Sequence, residues 1–123
     1  MSRIRVLYVD DEADIREVAC LALELDPDFE TLACESGVKA VETAPGWQPH
    51  LILLDYIMPE LDGPATLKRL RELPELQKTP VAFVTARTQA HDVAKLISLG
   101  ASGVIPKPFD PATFAATAKR FVG

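Results

Sequence analysis

No stretch of this 123-residue chain approaches the ~20 consecutive apolar residues that a helix needs to cross a bilayer. Cysteine is scarce. Cys20 and Cys34 have no metal-type spacing, so neither a zinc site nor a disulfide framework is expected, and both read as reduced core thiols of a cytosolic protein. His50 and His91 stand alone and far apart, which excludes a soft-metal cluster. There is no Walker loop and no G-x-G-x-x-G, so a nucleotide is not the implied ligand. Positive charge is in deficit, with 13 Lys and Arg against 18 Asp and Glu, net charge −5 and pI about 5.0, which argues against direct nucleic-acid binding. Repeats, low-complexity tracts and internal linkers are missing. Met1-Ser-Arg-Ile-Arg-Val enters a strand at once and leaves no room for a signal peptide.

What remains is one globular domain, 1–123, with 48% hydrophobic and 25% charged residues. Its centre is Leu51-Ile-Leu-Leu-Asp55, a continuous apolar run that ends in one acid and then in a turn of Pro59, Asp62 and Gly63. Such a run reads as a strand buried on both faces, as in the middle of a parallel sheet. Before it, Ile4 to Val9 reads as a strand ending in Asp10-Asp11-Glu12. A helix follows with Ile15, Val18, Ala19, Ala22 and Leu25 on one face, stopped by Asp26-Pro27-Asp28. Phe29 to Cys34 reads as a second strand. Ser36 is placed to cap a helix carrying Val38, Val41 and Ala44, which Pro45-Gly46 is expected to end, leaving Trp47 in a loop.

After the central strand, Pro64 suits the first position of a third helix lined by Leu67 and Leu70. Val81 to Val84 reads as a buried strand ending at Thr85-Ala86. A fourth helix carries Ala90, Val93, Ala94 and Ile97, with Gly100 as its C-cap. Ser102 to Ile105 forms a fifth strand that runs into Pro106-Lys107-Pro108-Phe109, and Asp110-Pro111 signals a last helix with Phe114, Ala118, Phe121 and Val122. The alternation predicts an open, doubly wound α/β sheet whose ligand crevice lies at the carboxyl ends of the strands.

Four of these strands end in a residue with chemistry: Asp10 and Asp11, Asp55, Thr85 and Lys107. Three carboxylates at one edge repel, and a hard divalent cation with oxygen ligands, Mg²⁺ for preference, removes that repulsion. A cation, a lysine and a hydroxyl around one remaining carboxylate make a phosphoryl-transfer site. Asp55 would be the nucleophile, Asp10 and Asp11 would hold the metal, and Lys107 and Thr85 would meet the phosphoryl oxygens. An aspartyl-phosphate hydrolase would place a second acid two residues after the nucleophile, where this chain has Ile57. A cofactor-binding flavodoxin-like domain would need a phosphate-cradling loop where this chain has Asp10-Asp11-Glu12.

In order along its whole length, the chain resembles the response-regulator receiver domains of two-component signalling. The resemblance rests on Asp10-Asp11, on Leu53-Leu54-Asp55 with Met58-Pro59 and Asp62-Gly63, on Thr85-Ala86, on Gly100 to Gly103 and on Lys107-Pro108-Phe109. It implies a flavodoxin-like (βα)₅ fold with a five-stranded parallel sheet in the order 2-1-3-4-5, and a cis Lys107–Pro108 bond. It implies Mg²⁺ held by Asp11, Asp55 and the backbone carbonyl of Ile57, with Asp10 assisting through water. It implies that Asp55 takes a phosphoryl group from a phosphohistidine on a sensor kinase or a histidine phosphotransfer protein. The protein would then be a switch that assists its own phosphorylation and dephosphorylation, acting on a downstream protein through the fourth helix, fifth strand and fifth helix, with no nucleic acid or membrane contacted directly. Ending at Gly123, it would be either a stand-alone regulator or a receiver from a larger regulator or hybrid histidine kinase. Two positions depart from the pattern: Val104 stands where the family usually has an aromatic residue, and Pro106 precedes the lysine.

Overall fold

The structure is a computed structural model that describes residues 3–122. The start at Met1 and the end at Gly123, on which the expectations of no signal peptide and of a stand-alone regulator or a receiver from a larger protein rest, lie outside the described residues. Five strands, β1 (Ile4–Val9), β2 (Phe29–Cys34), β3 (Leu51–Asp55), β4 (Val81–Thr85) and β5 (Gly103–Pro106), alternate with helices α1 (Ala13–Leu23), α2 (Gly37–Trp47), α3 (Gly63–Arg71), α4 (Ala90–Ser98) and α5 (Phe114–Lys119). All neighbouring strands are parallel, in the order β2-β1-β3-β4-β5. The expected doubly wound sheet and its strand order are both present.

Strand periodicity divides the core between two faces. Leu7, Val9, Ile52, Leu54, Val81 and Phe83 pack on one side with Leu67, Leu70 and Leu96. Val6, Tyr8, Leu51, Leu53, Ala82 and Val84 pack on the other with Ala19, Leu23, Phe114 and Ala118. The central strands β3 and β4 are buried along their entire length. β5 lies at the edge, where Pro106 costs no ladder bond toward a further strand. No described helix is long and apolar enough to cross a membrane.

The helices depart from the sequence reading in their faces and ends. α1 turns Ala19, Ala22 and Leu23 inward and leaves Val18, Leu21 and Leu25 exposed; Leu25 lies past the helix end. α2 runs through Pro45-Gly46 to Trp47 and ends on Gln48 in the left-handed region (φ 55°), so Trp47 closes the helix rather than lying in a loop. Pro45 removes one hydrogen bond near the helix end, a loss that packing of Ala40, Ala44 and Trp47 offsets. α4 is anchored by Leu96, its one buried residue, while Ala90, Ala94 and Ile97 face outward. Asp110 closes a turn, accepting the Ala112 N–H, and α5 begins only at Phe114.

Candidate functional site

Each strand delivers its last residue, or the next, to the same edge. β3 ends on Asp55, which is 6% exposed, and β4 ends on Thr85, which is 4% exposed. Asp10 follows β1 and is fully buried, while Asp11 beside it is exposed. Lys107 follows β5, and its N–H donates to the Thr85 carbonyl at 2.9 Å, which ties the ends of β4 and β5 together. The Lys107–Pro108 bond is cis, as the resemblance implies. Carboxylate oxygens of Asp10, Asp11 and Asp55 all lie within 4.8 Å of one another. The structure therefore brings Asp11, Asp55, Thr85 and Lys107 together on one cleft of about 490 Å³, with Ile57 and Arg87 on its wall and Asp10 buried behind it, its carboxylate within 4.8 Å of those of Asp11 and Asp55.

The charges are arranged around a single ammonium. Lys107 Nζ lies 3.0 Å from Asp10 Oδ2 and 3.5 Å from Asp55 Oδ2. Burial first, and then the neighbouring Asp10 charge, push the Asp55 carboxyl up to about 6, with Lys107 pulling the other way. Burial opposes the Lys107 ammonium, but its hydrogen bond to Asp10 and the charge of Asp55 outweigh that and raise its pKa. One lysine thus leaves the three carboxylates short of positive charge. All the donors are hard oxygens, the set that suits a divalent cation such as Mg²⁺.

The loop after Asp55 is held shut by two local devices. Gly63 N–H donates to the Tyr56 carbonyl at 2.8 Å, and Asp62 caps α3 by accepting the Ala65 N–H at 2.9 Å. A Cβ at Gly63 would come within 2.5 Å of the Asp55 carbonyl oxygen, so glycine lets α3 approach the strand end. Ile57 is 65% exposed on the cleft wall.

Two aromatic residues escaped the sequence reading. The Tyr8 hydroxyl donates to Asp10 Oδ2 at 3.2 Å from inside the core, where burial raises its pKa far above the usual range. The signal was present: Tyr8 and Asp10 are two apart on a strand and share a face. Tyr56 packs against Phe83 and carries the Arg87 guanidinium 5.5 Å from its ring centre. Arg87 therefore rests on an aromatic face beside the carboxylates. Among the histidines, His50 pairs with the backbone of Arg5, and His91 lies exposed on α4 beside Asp92.

A sequence model of the response regulator receiver domain matches residues 6–119. The chain is 36% identical over 115 residues to the phosphate regulon transcriptional regulatory protein PhoB of Escherichia coli, covering 94% of this chain and 50% of that protein. It is 36% identical over 111 residues to the transcriptional regulatory protein CseB of Streptomyces coelicolor, covering 90% of this chain and 46% of that protein. The chain thus spans about half the length of these curated relatives. Among solved structures, it is similar to the chemotaxis protein CheY4 of Vibrio cholerae, with TM-score 0.89, 28% identity, and 97% of this chain and 98% of that one covered. It is also similar to the signal receiver domain of a signal transduction histidine kinase from Syntrophus aciditrophicus, with TM-score 0.81, 30% identity, and 96% and 89% covered.

Proposed function

The chain belongs to the response regulator receiver family, a phosphorylation-controlled signalling module, and from that premise we propose that Asp55 is the residue that carries the phosphoryl group. The observation that supports Asp55 is its position. It ends the central strand, lines the cleft, and has a carboxylate neighbour, an ammonium at 3.5 Å and a strand-end hydroxyl around it. Its Oδ atom would attack the phosphorus of a phosphohistidine on a sensor kinase or a histidine phosphotransfer protein. The P–N bond breaks as the O–P bond forms, and the imidazole nitrogen leaves with the electron pair.

Asp11 and Asp55, with the Ile57 carbonyl, would hold Mg²⁺, and Asp10 would assist through water. When bound, the ion supplies charge that offsets the anionic oxygens of donor and acceptor. Lys107 would pair with a phosphoryl oxygen, Thr85 would donate its hydroxyl to another, and Ile57 would shield the acyl phosphate from water. The chain is read as a phosphoacceptor and not as a turnover enzyme, because position 57 supplies no second acid. We further assign a cytoplasmic setting, no direct nucleic-acid contact by residues 1–123, and a downstream protein docking on α4, β5 and α5, with Arg87, His91 and Lys95 as contacts. The half-length match to transcriptional regulators and the likeness to a kinase receiver leave both a stand-alone switch and a module of a larger protein as settings for the same chemistry.

Incubation of the protein with acetyl phosphate and Mg²⁺, followed by intact-mass measurement, tests this reading. The expected result is a gain of one phosphoryl group by the wild type and none by Asp55→Asn. Labelling of Asp55→Asn at the wild-type rate would show that another residue is the acceptor.

A further inference from the structure

Tyr8 is fully buried in β1, with its ring edge-on to Phe114 at 6.3 Å between centroids and 84° between planes. A phenylalanine would fill that space and make the same ring contact. The hydroxyl is the part of the side chain that the core does not need, and burying it requires a partner. Its partner is Asp10 Oδ2, at 3.2 Å.

The same oxygen takes the Lys107 ammonium at 3.0 Å, while Asp10 Oδ1 accepts the Glu12 N–H at 2.9 Å. Asp10 has no exposed surface, so it depends on these three donors. Lys107 Nζ lies 3.5 Å from Asp55 Oδ2, so a phosphoryl group on Asp55 would offer it new anionic oxygens and draw it from Asp10. A buried carboxylate stripped of its cation is strongly destabilised unless other donors remain.

We propose that Tyr8 is a positioning residue for Asp10: its buried hydroxyl holds Oδ2 in place while Lys107 exchanges from Asp10 to the phosphoryl group. This step rests on the reading of Asp55 as the acceptor. Tyr8 touches neither phosphoryl nor metal; it acts through Asp10. Its contribution is therefore small while Lys107 sits on Asp10 and large once the lysine leaves.

Tyr8→Phe keeps the ring and removes the hydroxyl alone. Two titrations, followed by amide shifts, separate its effects: Mg²⁺ by itself, and beryllofluoride at saturating Mg²⁺. The expected result is a Mg²⁺ midpoint within about twofold of wild type and a beryllofluoride midpoint weakened about tenfold. A purely structural role would move both midpoints together or neither, and either pattern overturns the inference while leaving Asp55 as acceptor. A wild type that binds no beryllofluoride overturns the acceptor reading and this step with it. Thermal melts give an arm independent of phosphorylation. Tyr8→Phe should cost several degrees more in a Lys107→Met background, where the hydroxyl is the only side-chain donor left on Asp10 Oδ2, than in wild type. Equal losses in both backgrounds would show that hydroxyl and ammonium do not share the load on Asp10, and would overturn the inference.

Discussion

Thr85 Oγ1 accepts the backbone N–H of Arg87 at 3.0 Å, so the hydroxyl at the end of β4 also fixes the turn that leads to α4. A hydroxyl displaced toward phosphoryl oxygens on Asp55 would pull on that N–H or let it go, and either moves the turn. The Arg87 side chain rests on Tyr56, and α4 beyond it is anchored by Leu96 alone among its buried residues. Val104 is half-buried against the same cluster as Leu96 and is too small to sweep the space of a ring.

The first prediction concerns that route. Beryllofluoride with Mg²⁺ should produce its largest amide shifts at Thr85 to Arg87 and along α4, with little change in the methyl rotamer of Val104. Large shifts confined to α1 and α2, with α4 silent, would rule the route out.

The second concerns the crowded carboxylates. A cation bound only by the folded site would raise the melting temperature between EDTA and millimolar Mg²⁺, and Asp11→Ala should shrink that rise. In EDTA, Asp55→Asn should melt above wild type, by on the order of 1 kcal/mol, because the ionised carboxylate is disfavoured where it sits. Equal melts for wild type with and without Mg²⁺ would argue against a cation site.

Much of this site could be read from the chain because its residues end strands. Continuous apolar runs such as Leu51 to Leu54 and Val81 to Val84 locate their own ends, and a parallel sheet puts those ends on one edge. The helix faces were harder. In α4, Leu96 and Ile97 are adjacent and both apolar, so periodicity over nine residues does not decide between them; the structure buries Leu96 and leaves Ile97 45% exposed. Proline signals misled twice, since α2 continues past Pro45 and Asp110-Pro111 opens a turn before α5. Local propensity at those points yields to packing. Tyr8 lay inside the strand read from Ile4 to Val9, and its spacing of two from Asp10 was the one signal that its hydroxyl could reach the carboxylate.

The third prediction concerns the clamp on α5. Lys119 Nζ lies 3.0 Å from Asp26 and 2.8 Å from Asp28, joining α5 to the loop between α1 and β2. The Asp28 N–H, and then Lys119, hold the Asp26 carboxyl below its usual range, while hydrogen bonds to Asp28 and Asp26 raise the Lys119 ammonium. A depressed acid contributes stability above its unfolded pKa of ~3.9 and loses it as pH falls through the folded value; a raised lysine contributes below ~10.4 and loses it as pH rises further. Lys119→Met should therefore melt below wild type across roughly pH 5 to 9, and the two should converge in acid and in high salt. A gap that persists unchanged at pH 2 would assign the loss to the Lys119 ammonium over the Phe29 ring, 5.8 Å from its centre, instead.

The last prediction concerns Gly63, which couples the fold to the site. A Cβ there would meet the Asp55 carbonyl oxygen at 2.5 Å, the Phe83 ring at 2.7 Å and the Tyr56 Cα at 2.9 Å. The first and third are backbone atoms of Asp55 and of the turn that follows it, and they cannot move without moving Asp55. Gly63→Ala should cost about 1–3 kcal/mol by overpacking. The relief has two routes: α3 backs away from the sheet, or the turn after Asp55 shifts. Phe83 is fully buried behind the turn, so the ring cannot retreat cheaply, and Asp62 still caps α3 through Ala65. The turn after Asp55 is exposed at Ile57 and yields more readily. Phosphorylation by acetyl phosphate should thus slow in Gly63→Ala by more than the loss of folded protein explains, measured at a temperature where both proteins are fully folded. Labelling at the wild-type rate, with only the melt lowered, would show that α3 gives way and that Gly63 serves packing alone.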